Sequence, residues 1–527
     1  MHRRAAGRPE RAAYPGIGGG IGISPTSNGR TRRSGPPVGG AAPELVDSGF
    51  ALENADAPFL HEGLNLADIA HVLDLLRRKI VPSDAARQML ALLLEVHEMS
   101  ADEFPYDPAY GEPYNSREHF FVDRLGNVAG WLHAGRPRRE AARIALRLYL
   151  RRQLLELVEE VAGFAGACAE LAAAHAETLM PDQTYLQQAQ PSTFGHYLLS
   201  FAYPAVRDGD RLLDEFDWVN RSPGGAGCVN GTRLLADRTF VAEELGFSAV
   251  IEHTRDAMWQ IDGLIHMLAT VASLISTQSK LAEDLEIWSS SEFDFVDLAD
   301  AFTRASILMP QKRNPYSLAI VRGAAGVLIG RLSGFLAVAK SPSARSDNLI
   351  FAYGEVPRAL DLSIRVTRLM AGVVRTLQVN EDRMREALDA GYTQATDLTE
   401  FIVQTCGVDY RSAYVVVGNT VREASRRGIP GREITGEMLD EIALEHTGQA
   451  WGLSGRDLSD VLDPMSIVAT RTADGGAAPS AVGAMVEHCR DRAAQLAARA
   501  GELRTDLDRA TDSLLTQARR TATEDEQ

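Results

Sequence analysis

The chain has 527 residues, of which 45% are apolar and 24% are charged, as is usual for a globular protein with room for two or three domains. Its formal net charge of −17 argues against nucleic acid as a partner, because binding to phosphates requires a basic surface. No apolar run approaches the roughly 18 residues of a membrane span, which argues against a membrane-embedded protein.

The N-terminal stretch differs in composition from the rest of the chain. Residues 1–42 are rich in Arg, Gly and Pro and nearly free of acids, which predicts a disordered tail, with an organelle transit peptide as the alternative. From about residue 60 onward the apolar residues recur with helical periodicity, and strand-like alternation is scarce. This periodicity predicts three long helices, over 140–176, 255–287 and 357–378.

Helices of this length need a bundle or partner subunits to bury their apolar faces, and these faces are wider than a single seam. We therefore predict an all-α fold with three helical domains, a central long-helix bundle and assembly into an oligomer. The predicted parts are a disordered tail at 1–42, an N-terminal helical domain at 43–135, the bundle at 136–380, a C-terminal helical domain at 381–512 and a solvated tail at 513–527.

A short connection between two predicted helices combines polar groups that a simple turn does not need. The stretch SILMPQKRNP, residues 306–315, contains a hydroxyl, two cations, two amides and two prolines. Lys312 can supply charge and Asn314 amide donors to a carboxylate, while Ser306 could act on a neighbouring C–H if its own proton is accepted elsewhere. The structural alternative is that Ser306 and Asn314 cap the next helix. Composition alone leaves both interpretations open.

The segment 291–315 resembles the signature region of the aspartase/fumarase superfamily, and that of argininosuccinate lyase most closely. Residues Ala305 to Pro315 read ASILMPQKRNP against the family loop G-S-S-x-M-P-x-K-x-N-P, with departures at the leading Gly and at the second Ser. The resemblance extends from about residue 60 to 495. Its other segments are GNVAGWLHAGRPRRE (126–140), TYLQQAQPSTFGHYLLSF (184–201), PGGAGCVNGT (223–232), 395–421 and 463–482.

The resemblance implies a β-elimination that removes a nitrogen group from a succinyl skeleton and releases fumarate. The reaction passes through a dianionic aci-carboxylate, whose charge must be neutralised by preorganised donors. Ser306 aligns with the catalytic base, and Thr184 and Tyr185 complete the implied catalytic set. The implied substrate-binding set is Lys312, Asn314, Arg138, Gln190, Tyr114, Asn115, Arg136 and Arg345. Because these segments meet from different subunits in the family, a homotetramer with shared sites and a dicarboxylate substrate are implied.

Two tyrosines stand where the family has histidines. Tyr114 replaces one and Tyr185, after Thr184, the other. The unperturbed pKa of tyrosine, near 10, lies far from that of histidine, roughly 6.5. Protonation of the leaving group has therefore moved to a tyrosine, or both tyrosines only line the pocket.

The residues that would hold the arginine tail of argininosuccinate are also altered. Arg345, Ile350 and Tyr353 stand where the family has Tyr, Gln and Lys, and Arg139 adds a cation near the site, either for an extra anionic group or as a solvated side chain. A pocket that gains Arg and loses polar partners disfavours a guanidinium. This predicts a leaving group that is small or anionic.

The leading hypothesis is a carbon–nitrogen lyase of the argininosuccinate lyase type that acts on an N-substituted aspartate. The alternatives are authentic argininosuccinate cleavage, a carboxymuconate-type cycloisomerase, and a non-catalytic scaffold like the lens crystallins related to this lyase. Neither a metal nor another cofactor is expected, because no His, Asp, Glu or Cys cluster has ligand spacing. The four cysteines lie far apart, which fits free thiols in a cytoplasmic protein.

Overall fold

A computed structural model describes residues 40–340, 343 and 352–523 of the chain. Helices dominate these residues and the strands are short, which confirms the all-α class. Almost all of the predicted N-terminal tail lies outside the described residues. The helices that precede the central bundle are α1 (Pro43–Leu45), α2 (Ala51–Asn54), α3 (Ala57–Arg77), α4 (Ser83–His97) and α5 (Pro113–Leu125).

The central part contains the long helices that the periodicity predicts, here α6, α10 and α12, except that residues 254–259 form a separate short helix, so the helix predicted at 255–287 begins at Asp262. Its elements in chain order are α6 (Arg138–Ala174), β1 (Leu179–Thr184), β2 (Gln187–Thr193), α7 (Phe194–Val219), β3 (Arg221–Ser222), α8 (Thr239–Glu244), β4 (Ala249–Val250), α9 (Thr254–Trp259), α10 (Asp262–Trp288), β5 (Val296–Asp297), β6 (Arg304–Ala305), β7 (Arg313–Asn314), α11 (Tyr316–Ala339), α12 (Glu355–Thr376) and β8 (Gln378–Val379). The strands pair two by two, β3 with β4 in parallel and β1–β2, β5–β8 and β6–β7 antiparallel.

Helix α6 lies at the centre of the bundle because its apolar residues occupy more than one face. Leu150, Leu154, Leu157, Val161 and Phe164 form one stripe at steps of three or four, Leu155, Val158 and Ala165 lie on a neighbouring face, and all are fully buried. They belong to a core to which α7, α10, α11, α12 and the last helix of the chain also contribute. Burial of each such side chain contributes about 1.5–3 kcal/mol to stability, so the bundle does not depend on helix propensity.

The C-terminal part has a small core of its own, but its last helix leaves that core. The elements are α13 (Glu381–Ala390), α14 (Ala395–Cys406), α15 (Tyr410–Arg427), α16 (Gly436–Thr447), α17 (Ser459–Leu462), α18 (Pro464–Ala469) and α19 (Pro479–Thr523). Helices α14 to α17 share one apolar cluster. Helix α19 instead runs back along α6, α7 and α4.

The predicted solvated tail at 513–527 is therefore wrong for residues 513–523. Leu514, Leu515 and Ala518 of α19 are buried in the apolar core of α3, α4 and α8. The same contacts shorten the predicted C-terminal domain, because residues 479–512 pack on the bundle. The sequence near 513–527 is rich in charge, and its few apolar residues at helical spacing are too weak a signal to predict a buried helix end.

Helix α11 carries apolar residues on a face that the chain leaves uncovered. Ile320, Val327, Ile329 and Leu336 are each 40–54% exposed. A Cβ added at Gly323, Gly326, Gly330 or Gly334 would meet nothing within 4 Å. Among the described residues α11 is also the one helix long and apolar enough to span a membrane by length and composition, with a third of that stretch buried. The described part of the chain thus leaves this apolar face without a partner.

A buried ion network joins three elements of the N-terminal part at the start of α6. Asp68 on α3, 1% exposed, accepts hydrogen bonds from Arg117 on α5 at 2.8 Å and from Arg136 just before α6. The Tyr114 hydroxyl donates to Asp68 at 3.2 Å and accepts from Arg136 at 3.0 Å. Burial alone would raise the pKa of Asp68, but the two arginines outweigh it and hold that pKa below its usual value.

Removing the end of α19 from its core should lower stability. Leu514→Ala should lower the free energy of unfolding by about 2–5 kcal/mol, because a fully buried leucine leaves a cavity. Thr516→Ala, at an exposed position of the same helix, should change it by less than about 0.5 kcal/mol. Denaturant midpoints at one protein concentration measure both; equal midpoints would show that residues beyond 512 do not pack.

The Asp68 network should be essential for stability. Asp68→Ala leaves Arg117 and Arg136 buried without a carboxylate and should cost about 3–5 kcal/mol. Glu62→Ala, at an exposed position of the same helix, serves as the control. Circular dichroism during denaturant unfolding gives the comparison, and similar losses for the two variants would contradict the network's importance.

Candidate active site

Ser306 and Lys312 lie at the tip of a β-hairpin, and Asn314 lies in its second strand. Strands β6 and β7 pair Arg304 with Asn314 and Ala305 with Arg313. The Asn314 side chain donates to the Arg304 carbonyl at 2.8 Å, and the Ser306 hydroxyl accepts the Met309 N–H at 3.0 Å. These contacts lie within the hairpin, so the alternative in which Ser306 and Asn314 cap α11 is wrong: the N-cap is Pro315, without a side-chain cap.

The base of this hairpin is fixed and its tip is open. Arg313 forms ion pairs with Asp297 and Asp300, each at 2.8 Å, and donates to the Leu298 carbonyl at 2.7 Å. Ile307 and Leu308 at the tip are almost fully exposed, although they are apolar. Lys312 is exposed and Ser306 half-buried. The chain thus presents Ser306 and Lys312 on a loop that nothing in its described part covers.

A second exposed hairpin carries Thr184, Tyr185 and Gln190. Strands β1 and β2 are joined by the two residues Tyr185 and Leu186, whose φ angles are +56° and +58°. Two left-handed residues match the twist of a tight hairpin, but this conformation is uncommon for side chains of this size. Tyr185 is 98% exposed. A strained turn that presents a fully exposed aromatic residue is typical of a functional position.

The segment at the start of α6 brings Arg138 and Asn115 together. Arg138 donates to the Asn115 side-chain oxygen at 2.9 Å and pairs with Glu112 at 2.7 Å. Two residues later, the fully buried carboxylate of Glu140 accepts the N–H groups of Gly225 and Gly227 at 2.7 and 2.6 Å. Burial raises the pKa of Glu140 to about 7, against the lowering effect of these donors and of Arg136. Glu140 thereby holds the loop 223–231 against α6.

Of the other residues predicted near this segment, two are buried and two lie outside the described residues. Arg136 and Tyr114 are buried in the Asp68 network, so the prediction that they contact the substrate is wrong for the chain as it stands. Burial, together with Asp68, also raises the pKa of Tyr114, which makes it a poor proton donor. Arg345 and Ile350 lie outside the described residues. No local pattern indicates this burial, because Tyr114 and Arg136 lie in segments that resemble a binding site.

Sequence reasoning missed Arg143 and Glu140. Arg143 lies with its guanidinium 3.7 Å from the centre of the Tyr353 ring and donates to the Tyr353 hydroxyl. Its spacing of four residues from Arg139, on the same face of α6, was the available signal. For Glu140 the signal was an acid three residues after Pro137, at the first turn of a helix.

The predicted site residues fall into two groups at opposite ends of the bundle. Arg138 begins α6, and Thr184 follows its end; 37 helical residues span about 55 Å. The loop at 306–314 lies beyond the end of α12, where β8 pairs with β5 and Phe302 lies against Gly372. Glutamines of the β1–β2 hairpin share a groove with Glu292 and Phe295, which precede that loop. One chain therefore does not bring Arg138 to Ser306 or Thr184.

In the part of the chain that the structure describes, no group of three or more His, Cys, Asp or Glu side chains is arranged to hold a metal ion. The charged groups that approach one another near the site are arginines and carboxylates, which suit the recognition of an ionic organic substrate.

Sequence comparison relates most of the chain to known lyases. The family profile described as "Lyase" matches residues 80–330, and the profile "Argininosuccinate lyase C-terminal" matches 392–469. Argininosuccinate lyase of Methanococcoides burtonii is 33% identical over 454 residues, covering 85% of this chain and 91% of its own length. The argininosuccinate lyase of Geobacillus thermodenitrificans is 32% identical, over 86% of this chain and 96% of its own length.

Solved structures give the same relationship. An EDDS lyase in complex with formate has a TM-score of 0.82 and 29% identity, covering 92% of this chain and 97% of its own. The 3-carboxy-cis,cis-muconate lactonizing enzyme of Pseudomonas putida, at 20% identity and a TM-score of 0.65, shares the fold alone. Because the chain resembles these lyases in sequence over most of its length and also in fold, it belongs to the argininosuccinate lyase family of the aspartase/fumarase superfamily.

Proposed function

We propose that this fumarate-releasing carbon–nitrogen lyase acts on an N-substituted aspartate other than argininosuccinate. The observation that carries the lyase activity is the hairpin at 305–315, which presents Ser306 and Lys312 at its tip and Asn314 in its second strand in a member of this family. At the other end of the bundle, Arg138 with Asn115 supplies further donors for a dicarboxylate. A non-catalytic role would not require the base, the cation and the amide together.

The chemistry follows from these groups. Ser306, which is in contact with solvent, first passes its hydroxyl proton to water and then takes the proton from the carbon next to a carboxylate. The carboxylate then carries two negative charges, which Lys312 and Asn314 stabilise. As the carbon–carbon double bond of fumarate forms, the C–N bond breaks with its electron pair on nitrogen. The Met309 N–H, 3.0 Å from the Ser306 oxygen, favours the ionised serine.

Tyr185 is the residue we assign to protonating the leaving nitrogen, with Thr184 beside it to hydrogen-bond the substrate. Tyr114 is unsuitable because it is buried, whereas Tyr185 projects fully from its own chain. Such projection serves catalysis if the hairpin enters a site on another chain. Gln190, exposed on β2, would add an amide donor there.

We assign the complete site to a homotetramer. Arg138 and Ser306 are too far apart in one chain to meet on one small substrate. The apolar, glycine-rich face of α11 offers a surface on which bundles from several chains can pack closely. A cytoplasmic, soluble assembly explains this face without a membrane.

Authentic argininosuccinate cleavage is the second candidate. It is favoured by the relatives named argininosuccinate lyase, at 32–34% identity. Against it stand Tyr353, covered by Arg143, and the altered residues Arg345 and Ile350 of the sequence. The structures of EDDS lyase, at 29% identity, support a substrate outside arginine synthesis for a chain of this fold. Cycloisomerase chemistry is less favoured, because the C-terminal profile is that of the lyase.

Replacement of the base should abolish turnover and leave the fold intact. Ser306→Ala should lower kcat by at least tenfold, equivalent to about 1.4 kcal/mol in the barrier, with unchanged circular dichroism and oligomeric mass. Gln311→Ala, at an exposed position of the same loop, is the control and should retain activity. A Ser306→Ala enzyme with more than about a tenth of the wild-type kcat would exclude Ser306 as the base.

Mixed tetramers should regain activity if the site is shared. Ser306→Ala and Arg138→Ala proteins should each be inactive, and exchange of their subunits at equal amounts should restore up to about a quarter of the activity, because half of the chains carry each lesion. Fumarate absorbance before and after exchange gives the readout. Absence of rescue, with exchange proven by mass spectrometry, would mean that each chain holds its own site.

Argininosuccinate should be a poor substrate. An arginine facing a guanidinium, and a lost polar partner, should together lower kcat/KM by about two to four decades relative to an ordinary enzyme. The measurement is kcat/KM for argininosuccinate beside a series of N-substituted aspartates. A value above about 10⁴ M⁻¹s⁻¹ would establish the second candidate instead.

A further inference from the structure

A cavity of about 90 Å³ lies beside the Arg138 segment, between residues 53–60, the start of α5, the first turns of α6 and the start of α12. Its walls are mainly apolar, with charged and aromatic groups at Glu53, Asp56, Glu112, Arg139, Arg143 and Tyr353. Glu112 connects the cavity to the predicted site, because it also pairs with Arg138 at 2.7 Å. A mainly apolar cleft with a few convergent polar groups is the usual form of a small-molecule site.

Most of the charged groups in this cavity already have partners in the chain. Asp56 accepts from Arg358 at 2.6 Å, Glu112 pairs with Arg138, and Arg143 donates to Tyr353. Glu53 is different: none of the residues that the structure describes forms a hydrogen bond or an ion pair with its carboxylate. Burial and the nearby Glu112 raise the pKa of Glu53 to about 7, and Arg139 and Arg138 lower it only in part. The cavity therefore contains an acceptor that its own side chains leave unsatisfied.

We propose that this cavity receives the leaving group of the substrate, and that Glu53 selects a leaving group that carries a second, primary ammonium. This rests on the proposed function, which it makes more specific. An ammonium offers the N–H donors and the positive charge that Glu53 lacks. At about 10–15 Å³ for each water-sized occupant, the cavity holds a chain of only a few non-hydrogen atoms. The predicted leaving group is thus a short diamine.

The same geometry disfavours a guanidinium. A guanidinium binds best to two coplanar acceptors or against an aromatic face. The aromatic face of Tyr353 is already covered by Arg143, whose guanidinium adds a fixed positive charge there. A compact ammonium needs neither surface, because a single carboxylate such as that of Glu53 is enough to bind it.

Two substrates of equal length test the assignment. N-(3-aminopropyl)-L-aspartate and N-butyl-L-aspartate differ only in whether the chain ends in an ammonium or a methyl group. In the wild type, kcat/KM should favour the aminopropyl substrate by about 10- to 100-fold, as expected for one charge-assisted hydrogen bond. In Glu53→Gln this ratio should fall to within about threefold of one, and in Glu44→Gln, at an exposed position of the same N-terminal segment, it should stay at the wild-type value.

The ratio of the two kcat/KM values separates recognition of the ammonium from general damage to the enzyme, because a lesion at the reacting centre lowers kcat/KM for both substrates together. A wild-type ratio near one, or a ratio that Glu53→Gln preserves, would overturn the inference. If the wild type releases fumarate from neither substrate, the proposed reaction fails instead. In that case, or if Glu53→Gln has no turnover, calorimetry with 1,3-diaminopropane and butylamine tests directly whether the cavity binds the amine. At least about tenfold tighter binding of the diamine, lost in Glu53→Gln, upholds the inference; equal or undetectable binding of the two amines to the wild type overturns it.

Discussion

The length of α6 is the constraint on which the arrangement of this protein depends. Its 37 residues form one continuous helix about 55 Å long, with Arg138 at one end and the Thr184 hairpin beyond the other. No loop movement within a chain closes such a distance while the helix stays packed. The helix stays packed because its buried leucines, valines and phenylalanines face several partners at once. The same core that stabilises the bundle therefore separates the groups that would act on one substrate.

The two ends of the bundle differ in how their functional residues are held. At the Arg138 end, the charged groups are held by other elements: Asp68 fixes the residues that precede α6, and Glu140 holds the glycine loop. These contacts are buried and preorganised. At the Ser306 end, two hairpins project from the bundle with apolar or aromatic side chains in solvent, and ion pairs fix the base of the hairpin that carries Ser306. A rigid receiving surface and projecting hairpins are complementary in a way that suits contact between chains.

The charged residues are also distributed unevenly over the bundle. The chain as a whole is acidic, yet cations are concentrated near the start of α6, where Arg136, Arg138, Arg139 and Arg143 follow closely along the chain. Their carboxylate partners reduce the cost of placing so many like charges together. Glu53 alone among the acids of the neighbouring cavity has neither a hydrogen bond nor an ion pair in the described part of the chain, so the unbalanced group there is an anion. Local arrangement, and not net charge, decides which ligand can bind.

The sequence by itself determined the helical class, the three long helices and the family, because periodicity and the loop at 305–315 are local patterns that survive without tertiary information. It also named the residues at the tips of both hairpins. It failed for Arg136 and Tyr114, which lie in a matching segment but are buried, and for residues 513–523, whose few leucines find a core on α3 and α4. It overlooked Glu53, Glu140 and Arg143, whose importance arises from what packs against them. Burial, pairing and distance are properties of contacts between remote segments, so only the tertiary structure could decide them.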